Sequence, residues 1–301
     1  MITNINILHW NIVVIKIMKK ISWISSYPKS GNTYLRLLLS AYFYSDEGIV
    51  SDFSLIDNIF KISNYNFIQN NENVPNIEEF ISNPILVSKY WSIVQQNLSN
   101  KIKKNLFIKT HDCMANILDK NFTNSNFTRC FLYIVRDPRS VAVSYSHHTG
   151  YDISTTINFL INKNYIINYK KEEMTLPEII SSWSVHYNSW KNFLNEGNGK
   201  IIKYEDLVKN PKKEFKAILI FLQNFLNFYL NEKKIDNCVK STKLIKLKKL
   251  EEKIGFKEKS INNKNFFRKG IVDEWQQVLS KKQIKIIENS FKKEMFELQY
   301  I

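Results

Sequence analysis

The chain has 301 residues, 44% of them hydrophobic, and its 43 Lys and Arg against 28 Asp and Glu give a formal charge of +15. The apolar fraction excludes a disordered chain, and 7 Gly with 6 Pro exclude collagen or a Pro-rich linker. Three widely spaced Cys exclude a disulfide framework or a CxxC metal site and favour a reducing, cytoplasmic compartment. The charge indicates an anionic partner, which nucleic acid, a membrane surface, an acidic polysaccharide or a phosphorylated cofactor would all satisfy.

The amino-terminal residues 5–18 (INILHWNIVVIKIM) are mostly apolar but shorter than the ~20 residues of a membrane-spanning helix. No small-residue cleavage site follows them and no Lys or Arg precedes them, which argues against a secretory signal. Met18 then provides a second start directly before a strand-like run. We therefore predict a disordered or loosely packed extension at residues 1–17, a domain at residues 18–301 and no stable membrane span. A weak membrane anchor is the alternative for the extension.

The first third of the chain predicts a strand, a tight loop and a helix. Residues 21–26 (ISWISS) have the pattern of a buried strand, residues 27–33 (YPKSGNT) are rich in turn formers, and residues 34–43 have the spacing of a helix. The Asn-rich residues 45–100 predict short helices and long loops. Residues 105–110 (NLFIKT) predict a second strand.

The middle of the chain contains the clearest strand pattern, the five apolar residues 131–135 (FLYIV). A helix-like segment follows at residues 140–144. We expect residues 153–180 to be irregular, with a helix beginning at Pro177 because proline is favoured in the first turn.

The last third predicts a helix over residues 183–194 and a strand over residues 200–204. Pro211 begins an amphipathic helix, and a closing helix spans residues 281–298. Strands alternating with helices predict the α/β class: a single domain with a central parallel sheet flanked by helices.

Ligands of open parallel sheets bind beyond the carboxyl ends of the strands. Polar clusters fall at four such ends: Lys29 with its loop, residues 109–111, Arg136 with Ser144, and residues 204–206. Together these clusters predict a cationic site that contains one base.

The loop at residues 27–33 turns directly from strand into helix, so its backbone N–H groups would cradle a phosphate or sulfate at the positive end of the helix. Lys29 adds a charge, and the Ser30 and Thr33 hydroxyls add neutral donors. The alternative is an ordinary turn whose lysine faces solvent.

The chain lacks the GxxxxGK[ST] string of magnesium-dependent nucleotide hydrolases, since Gly199 and Lys200 are followed by Ile201. A kinase or ATPase is therefore disfavoured, and no metal site is expected.

Five motifs resemble, in order and spacing, those of the sulfotransferases that use 3′-phosphoadenosine 5′-phosphosulfate (PAPS), in their soluble cytosolic-type and bacterial forms. They are YPKSGNT at 27–33, KTH at 109–111, RDPRSVAVS at 136–144, KYEDL at 203–207 and FRKG at 267–270. The resemblance extends from about Met18 to Trp275. It implies a P-loop-nucleotide-hydrolase-like fold and PAPS as co-substrate, with no metal.

The resemblance implies two phosphate subsites. The 5′-phosphosulfate would be bound by Lys29, Ser30, Gly31, Asn32 and Thr33. The 3′-phosphate would be bound by Arg136, Ser144, Arg268, Lys269 and Gly270. Arginine suits that role because its planar fork donates two bonds to one phosphate.

The resemblance also implies an adenine pocket. Tyr204 would hydrogen-bond the adenine end, and Thr242 and Leu244 would line the pocket. Tyr34 stands where the family usually has a stacking Trp, and Leu244 where it usually has Phe, so adenine stacking is expected to be weaker.

Charge accounting predicts the mechanism of sulfuryl transfer. An acceptor hydroxyl or amine needs a base, and His111 is the histidine attached to a strand end in the site. Lys29 would neutralise the bridging oxygen as it leaves, and Lys109 would stabilise the sulfuryl oxygens and the same bridging oxygen. The alternative is a non-catalytic basic protein on the same fold that binds nucleic acid or acidic glycan. The intact motifs at Lys29 and His111 argue against it.

The acceptor is predicted only as a small molecule or carbohydrate, with walls at residues 55–105 and 145–180, and no specific nucleic acid is expected as partner. We interpret His147 and His148 as a solvated helix end rather than acceptor contacts. Cys113 is interpreted as a packing residue, and residues 205–206 as a helix-start cap.

Overall fold

The computed structural model describes residues 21–71, 73–101, 106–169, 171–259 and 265–301. The predicted extension at residues 1–17 lies outside the described residues, as do Met18 and Asn105.

Nine strands are present in the described residues. They are β1 (Ile21–Ser26), β2 (Phe60–Lys61), β3 (Leu106–Thr110), β4 (Asn116–Ile117), β5 (Lys120–Asn121), β6 (Thr128–Val135), β7 (Ile166–Ile167), β8 (Glu178–Ile179) and β9 (Gly199–Lys203).

The α-helices of the described residues surround the sheet. They are α1 (Asn32–Tyr44), α2 (Ile77–Ser82), α3 (Trp91–Lys101), α4 (Pro138–Thr149), α5 (Ile153–Ile161), α6 (Trp183–Asn192), α7 (Leu194–Gly197), α8 (Tyr204–Lys209), α9 (Pro211–Gln223), α10 (Glu232–Ser241), α11 (Leu244–Ile254), α12 (Trp275–Val278), α13 (Lys281–Ser290) and α14 (Lys292–Glu297). Short 3₁₀ helices lie at Ser54–Asn58, Tyr65–Phe67, Pro84–Tyr90 and Lys171–Glu173.

Five strands form one parallel sheet in the order β2-β3-β1-β6-β9. In its centre Trp23 of β1 pairs with Ile108 of β3 on one side and Phe131 of β6 on the other. The predicted fold, a parallel sheet flanked by helices, is confirmed. Because parallel strands share a direction, their carboxyl ends meet along one edge, where the predicted polar clusters lie.

The sheet is buried on both faces because successive residues of a strand point to opposite sides. Trp23 packs with Tyr133 and Trp190 in one apolar layer, whereas Ile24 packs with Leu38 in the other. Every residue of ISWISS and of FLYIV is therefore buried, instead of every second one, as expected for a sheet covered by helices on both sides.

The prediction of an irregular segment at residues 153–180 is wrong at both ends. α5 forms over Ile153–Ile161, and the Asp152 side chain caps it by accepting from the Thr155 N–H at 3.0 Å. Pro177 does not begin a helix, because the next two residues form β8 and pair antiparallel with β7. The Ile179 carbonyl also accepts from Cys113 at 2.8 Å, so a long-range contact decides this conformation.

The predicted closing helix is divided at Phe291 into α13 and α14. All three cysteines are free and buried. Within the described residues, no helix combines the length and apolar character that crossing a bilayer requires.

Candidate active site

The turn from β1 into α1 depends on a glycine with a left-handed backbone. Gly31 has φ 103° and precedes the first residue of α1. A Cβ at this position would lie 2.3 Å from a ring carbon of Tyr204, so only glycine lets that ring pack against the loop. Lys29 also has a positive φ of 67°, an uncommon conformation for a residue with a side chain.

The amino end of α1 has open donors. No side chain in the described part of the chain caps it, and its first turn contains no acidic residue. The first N–H groups of a helix lack intrahelical acceptors, so this end favours an anion. The Ser30 hydroxyl is buried and has no hydrogen-bond partner among the described residues. The Asn32 amide, by contrast, donates to Ile24 and Ser26 of β1, so its side chain holds the loop in place.

Three cations converge beside this helix end. Arg136 donates to the Lys29 carbonyl at 3.2 Å and places its guanidinium 4.5 Å from the centre of the Tyr204 ring. Burial, followed by the charges of Arg136 and Lys109, lowers the pKa of Lys29 to about 8 despite the opposing effect of Glu258. Burial and the charge of Lys61 lower the pKa of Lys109 to about 8 as well. The cluster therefore favours an anion that would neutralise it.

A carboxylate that the sequence did not predict lies among these groups. Glu258 accepts from the Thr33 hydroxyl at 3.0 Å and from the Arg36 guanidinium at 2.7 Å. Burial opposes its ionisation, but the Arg36 and Lys109 charges lower the pKa of Glu258 to about 2. The Thr33 hydroxyl, which was predicted to contact the phosphosulfate, thus donates its hydrogen bond to the charged Glu258 carboxylate.

The predicted base has a defined tautomer. The Nδ1 atom of His111 lies 2.7 Å from the Ser26 carbonyl oxygen, and a carbonyl can only accept, so Nδ1 carries the proton and Nε2 the lone pair. Burial and the Lys109 charge hold the pKa of His111 well below its usual range. The imidazole is therefore neutral near pH 7 and able to accept a proton. It remains partly exposed, unlike Asp112 beside it.

A second unpredicted carboxylate, Glu178, is fully buried near the base. It accepts from the Tyr169 hydroxyl and lies 3.6 Å from the Lys61 ammonium and 3.4 Å from the His111 backbone nitrogen. Burial would raise its pKa, but the Lys61 and Lys109 charges keep that pKa below its usual range. The base is thus flanked by an anion as well as by lysines.

The residues predicted for the 3′-phosphate carry carboxylate partners. Arg268 forms a two-pronged ion pair with Glu274, and the Lys269 ammonium lies 3.0 Å from the same carboxylate. Their segment is held against α4 because the Ser140 hydroxyl donates to Val272 at 2.6 Å.

Arg268 and Lys269 lie close enough to the end of α4 for their charges, after burial, to lower the pKa of His147. Ser144 is half-buried on the same helix. Gly270 has φ 63°, and a Cβ there would lie 2.7 Å from the Leu244 side chain.

The residues predicted for adenine adjoin the loop. Burial, then the neighbouring Tyr204, raises the pKa of Tyr34 to about 12, and Thr242 bonds to the Tyr34 hydroxyl. The Thr242 hydroxyl also donates to the Cys238 carbonyl at 2.8 Å. Tyr34, Tyr204 and Thr242 are therefore neighbours, while Leu244 packs on Gly270.

The interpretation of His148 as solvated is wrong, whereas His147 is exposed as expected. Burial and the charges of Lys29 and Lys109 lower the pKa of His148 to about 4. Its Nδ1 atom is buried without a partner among the described residues. The interpretation of residues 205–206 as a helix-start cap is wrong, since no side chain within the described residues caps α8, which has Lys203 at its N-cap position. Glu205 instead accepts from the Asp137 backbone N–H and the Tyr300 hydroxyl. Cys113 is buried with a pKa raised to about 12, as a packing residue should be.

Together the fold and site define an α/β protein with an anion cradle at the end of its central strand and a neutral histidine beside it. Within the described residues, no group of three His, Cys, Asp or Glu side chains could hold a metal. The family model for the sulfotransferase domain matches residues 19–299, and the chain belongs to that family.

Curated relatives match part of the chain. Sulfotransferase 1B1 of Canis lupus familiaris is 30% identical over 192 residues, which are 62% of this chain and 61% of that protein. Amine sulfotransferase of Oryctolagus cuniculus is 25% identical over 181 residues, 56% of each chain. The matched regions thus cover less than two thirds of these relatives.

Solved structures share the fold. Retinol dehydratase in complex with androsterone and the inactive cofactor PAP superposes with a TM-score of 0.59 and 18% identity, covering 91% of this chain and 80% of that one. A mouse sulfotransferase complexed with PAP superposes with a TM-score of 0.57 and 20% identity, covering 92% of this chain and 84% of that one.

Proposed function

We propose that this protein is a PAPS-dependent sulfotransferase that transfers a sulfuryl group to an acceptor hydroxyl or amine, with His111 as general base. The observation that carries the proposal is the bond from His111 Nδ1 to the Ser26 carbonyl. This bond leaves Nε2 as the proton acceptor, and it attaches the imidazole to Ser26, the residue directly before the loop that presents open anion donors. We place the functional unit at residues 18–301 and its location in the cytoplasm.

The chain's own polar atoms fit the bound form of PAPS. Among the described residues, the Ser30 hydroxyl has no hydrogen-bond partner and no side chain caps α1, and Lys29 adds a positive charge. Arg136 has a buried Nε atom without a partner among the described residues, which suits the 3′-phosphate. Arg268 and Lys269 would exchange Glu274 for that phosphate, with Ser144 and Gly270 beside them. Tyr34, Tyr204, Thr242 and Leu244 would hold the adenine.

PAPS supplies the sulfuryl group, and the residues around it lower the barrier to transfer. His111 Nε2 takes the proton of the acceptor as the new O–S or N–S bond forms. Lys29 compensates the negative charge on the departing phosphate oxygen, and Lys109 compensates charge on the sulfuryl oxygens and on that same phosphate oxygen. Because both lysines are desolvated, their charges act with little screening by water.

The acceptor is proposed to be a small molecule or a carbohydrate that enters past an aromatic wall. The rings of Phe159 and Tyr165 stack at 4.8 Å, and the Tyr165 hydroxyl is bonded to that of Tyr145 at 2.8 Å. Tyr27 of the loop reaches the Phe159 carbonyl at 3.4 Å, which connects this wall to the anion cradle. Flat aromatic surfaces of this kind suit sugars and phenols alike.

Binding of 3′-phosphoadenosine 5′-phosphate (PAP) tests the proposal. We expect PAP to raise the melting temperature strongly and 5′-AMP, which lacks the 3′-phosphate, to raise it little. Transfer of radiolabelled sulfate from PAPS to an acceptor pool then tests the chemistry. Equal shifts with the two nucleotides would refute the 3′-phosphate subsite. Salt-dependent binding of polynucleotides without competition by PAP would instead support a non-catalytic basic protein.

A further inference from the structure

A second histidine, His186, lies directly behind the proposed base and is completely buried. Its Nε2 atom is 2.9 Å from the carbonyl oxygen of His111, and its Nδ1 atom is 2.9 Å from the Tyr133 hydroxyl. Both ring nitrogens are therefore engaged, one of them with the main chain of the base. Nothing in the proposed chemistry uses this side chain.

The partners of the two ring nitrogens of His186 fix the proton positions. The His111 carbonyl can only accept, so His186 Nε2 carries the proton and donates it. The other nitrogen must then accept, and the Tyr133 hydroxyl donates to it. Burial lowers the pKa of His186 to about 4 and raises that of Tyr133, so each group keeps this protonation state at neutral pH.

One segment of the chain, residues 178–190, holds the main chain around His111. Glu178 lies on the His111 N–H side at 3.4 Å, and His186 holds the carbonyl of the same residue. The next peptide is held by Trp190, whose indole N–H donates to the Asp112 carbonyl at 3.0 Å. These contacts all come from residues 178–190. The same segment supports the aromatic wall, since the Ile180 and Ser181 N–H groups donate to the Tyr165 carbonyl.

We propose that His186 is a positioning residue for sulfuryl transfer: through its donated bond to the His111 carbonyl, and aligned by Tyr133, it fixes the main chain from which the base projects. The imidazole of His111 is then oriented by two points, its own bond to Ser26 and the fixed peptide behind it. Displacing a catalytic group by ~1 Å costs about 100-fold in rate, so loss of the second point lowers kcat. This inference rests on the proposed function.

Three variants test the proposal, with kcat, the KM for PAPS and the PAP-induced melting shift measured for each. His186→Phe retains a large apolar ring but cannot donate, and we expect kcat to fall about 100-fold, the cost of a ~1 Å displacement. His186→Gln has an amide N–H that reaches the place of Nε2, and we expect its kcat to lie within about tenfold of wild type. Tyr133→Phe, which removes one hydroxyl, should lower kcat a few-fold. The KM for PAPS and the PAP shift should stay unchanged.

The order of the two His186 variants separates positioning from packing. A residue that only filled the core would tolerate Phe better than Gln, whereas a hydrogen-bond donor is rescued by Gln. Tyr187→Phe is the matched control for Tyr133→Phe, because the Tyr187 hydroxyl donates to Glu297 instead of to His186.

The proposal is overturned if His186→Phe turns over like wild type, or if Phe is better than Gln. Should His186→Phe fail to fold, an unchanged kcat in Tyr133→Phe overturns it. A wild-type protein without sulfate transfer or PAP binding would refute the proposed function instead, which keeps the two failures distinct.

Discussion

The two sides of the site differ in how their polar groups are used. In the anion cradle at residues 27–33, the Ser30 hydroxyl and the nearby Arg136 Nε lack partners among the described residues, and no side chain caps α1. Around the base at residues 110–113, both peptide groups of His111 and the following carbonyl are held by side chains. Under the proposed function, the open donors of the cradle are available to an anionic ligand, whereas the protein itself holds the main chain of His111 in place.

The strongest way to break this contrast is to remove the base. We expect His111→Ala to lower kcat by about 10²–10⁴-fold, the usual contribution of general base catalysis. The PAP-induced melting shift should remain, because the cradle does not need the imidazole to bind phosphate. Radiolabelled sulfate transfer and thermal shift measure the two effects. Loss of both would make His111 a structural residue.

A substitution in the cradle should weaken ligand binding, which the loss of His111 should leave intact. Lys29→Met removes the buried charge next to the open helix end, and we expect PAP affinity to fall about 10–100-fold, in keeping with the ~1.5–3 kcal/mol of a charged hydrogen bond. Lys212→Met is the matched control, since that lysine pairs with Asp236 on the surface. Calorimetric titration with PAP measures both. Equal affinities of the two variants would contradict the role of Lys29.

The pH dependence sharpens the comparison. The pKa of both Lys29 and Lys109 is about 8, and bound phosphate favours their charged forms. Affinity for PAP should therefore be full below pH 8 and decline as the pH rises through it, by up to about tenfold per pH unit for each lysine. Calorimetry at constant ionic strength from pH 7 to 9.5 measures this decline, and a flat profile would contradict it. His111 is neutral throughout that range because its pKa is low, so the base should not limit turnover there.

The smallest effect is expected at Glu258. Glu258→Gln removes a negative charge from the Thr33 hydroxyl and the cation cluster, and PAP affinity should improve by about two- to tenfold, the size of a partly screened charge contact. Glu232→Gln, whose carboxylate pairs with Lys216 at the surface, is the control. Weaker PAP binding in Glu258→Gln would show instead that this carboxylate supports the cradle through Arg36.

The local sequence pattern correctly predicted those parts of the fold whose conformation depends on residues close together in the chain. The strand, loop and helix from Ile21 to Tyr44 follow from a buried run, turn formers and helical spacing, and the sheet follows from the alternation. The assignments of His111 and the 3′-phosphate residues remain predictions that the experiments above test.

The acidic residues and the buried histidine could not be predicted because their partners are distant in sequence. Glu178 meets His111 across 67 positions, and Glu258 meets Arg36 across 222. No local spacing distinguishes such carboxylates from surface ones. The α5 helix was missed for a related reason. Its apolar residues pack against α4, a contact that the local sequence does not show.

The carbonyl of Ser26 belongs to the peptide bond that joins β1 to the loop at Tyr27. The same carbonyl oxygen accepts the hydrogen bond from His111 Nδ1 at 2.7 Å. One rigid amide plane therefore connects the loop to the imidazole of His111. Because the loop and the imidazole share this peptide, a displacement at the end of β1 would move both of them together. The relative position of the two groups that we propose for donor binding and proton transfer therefore depends on one peptide of the central strand.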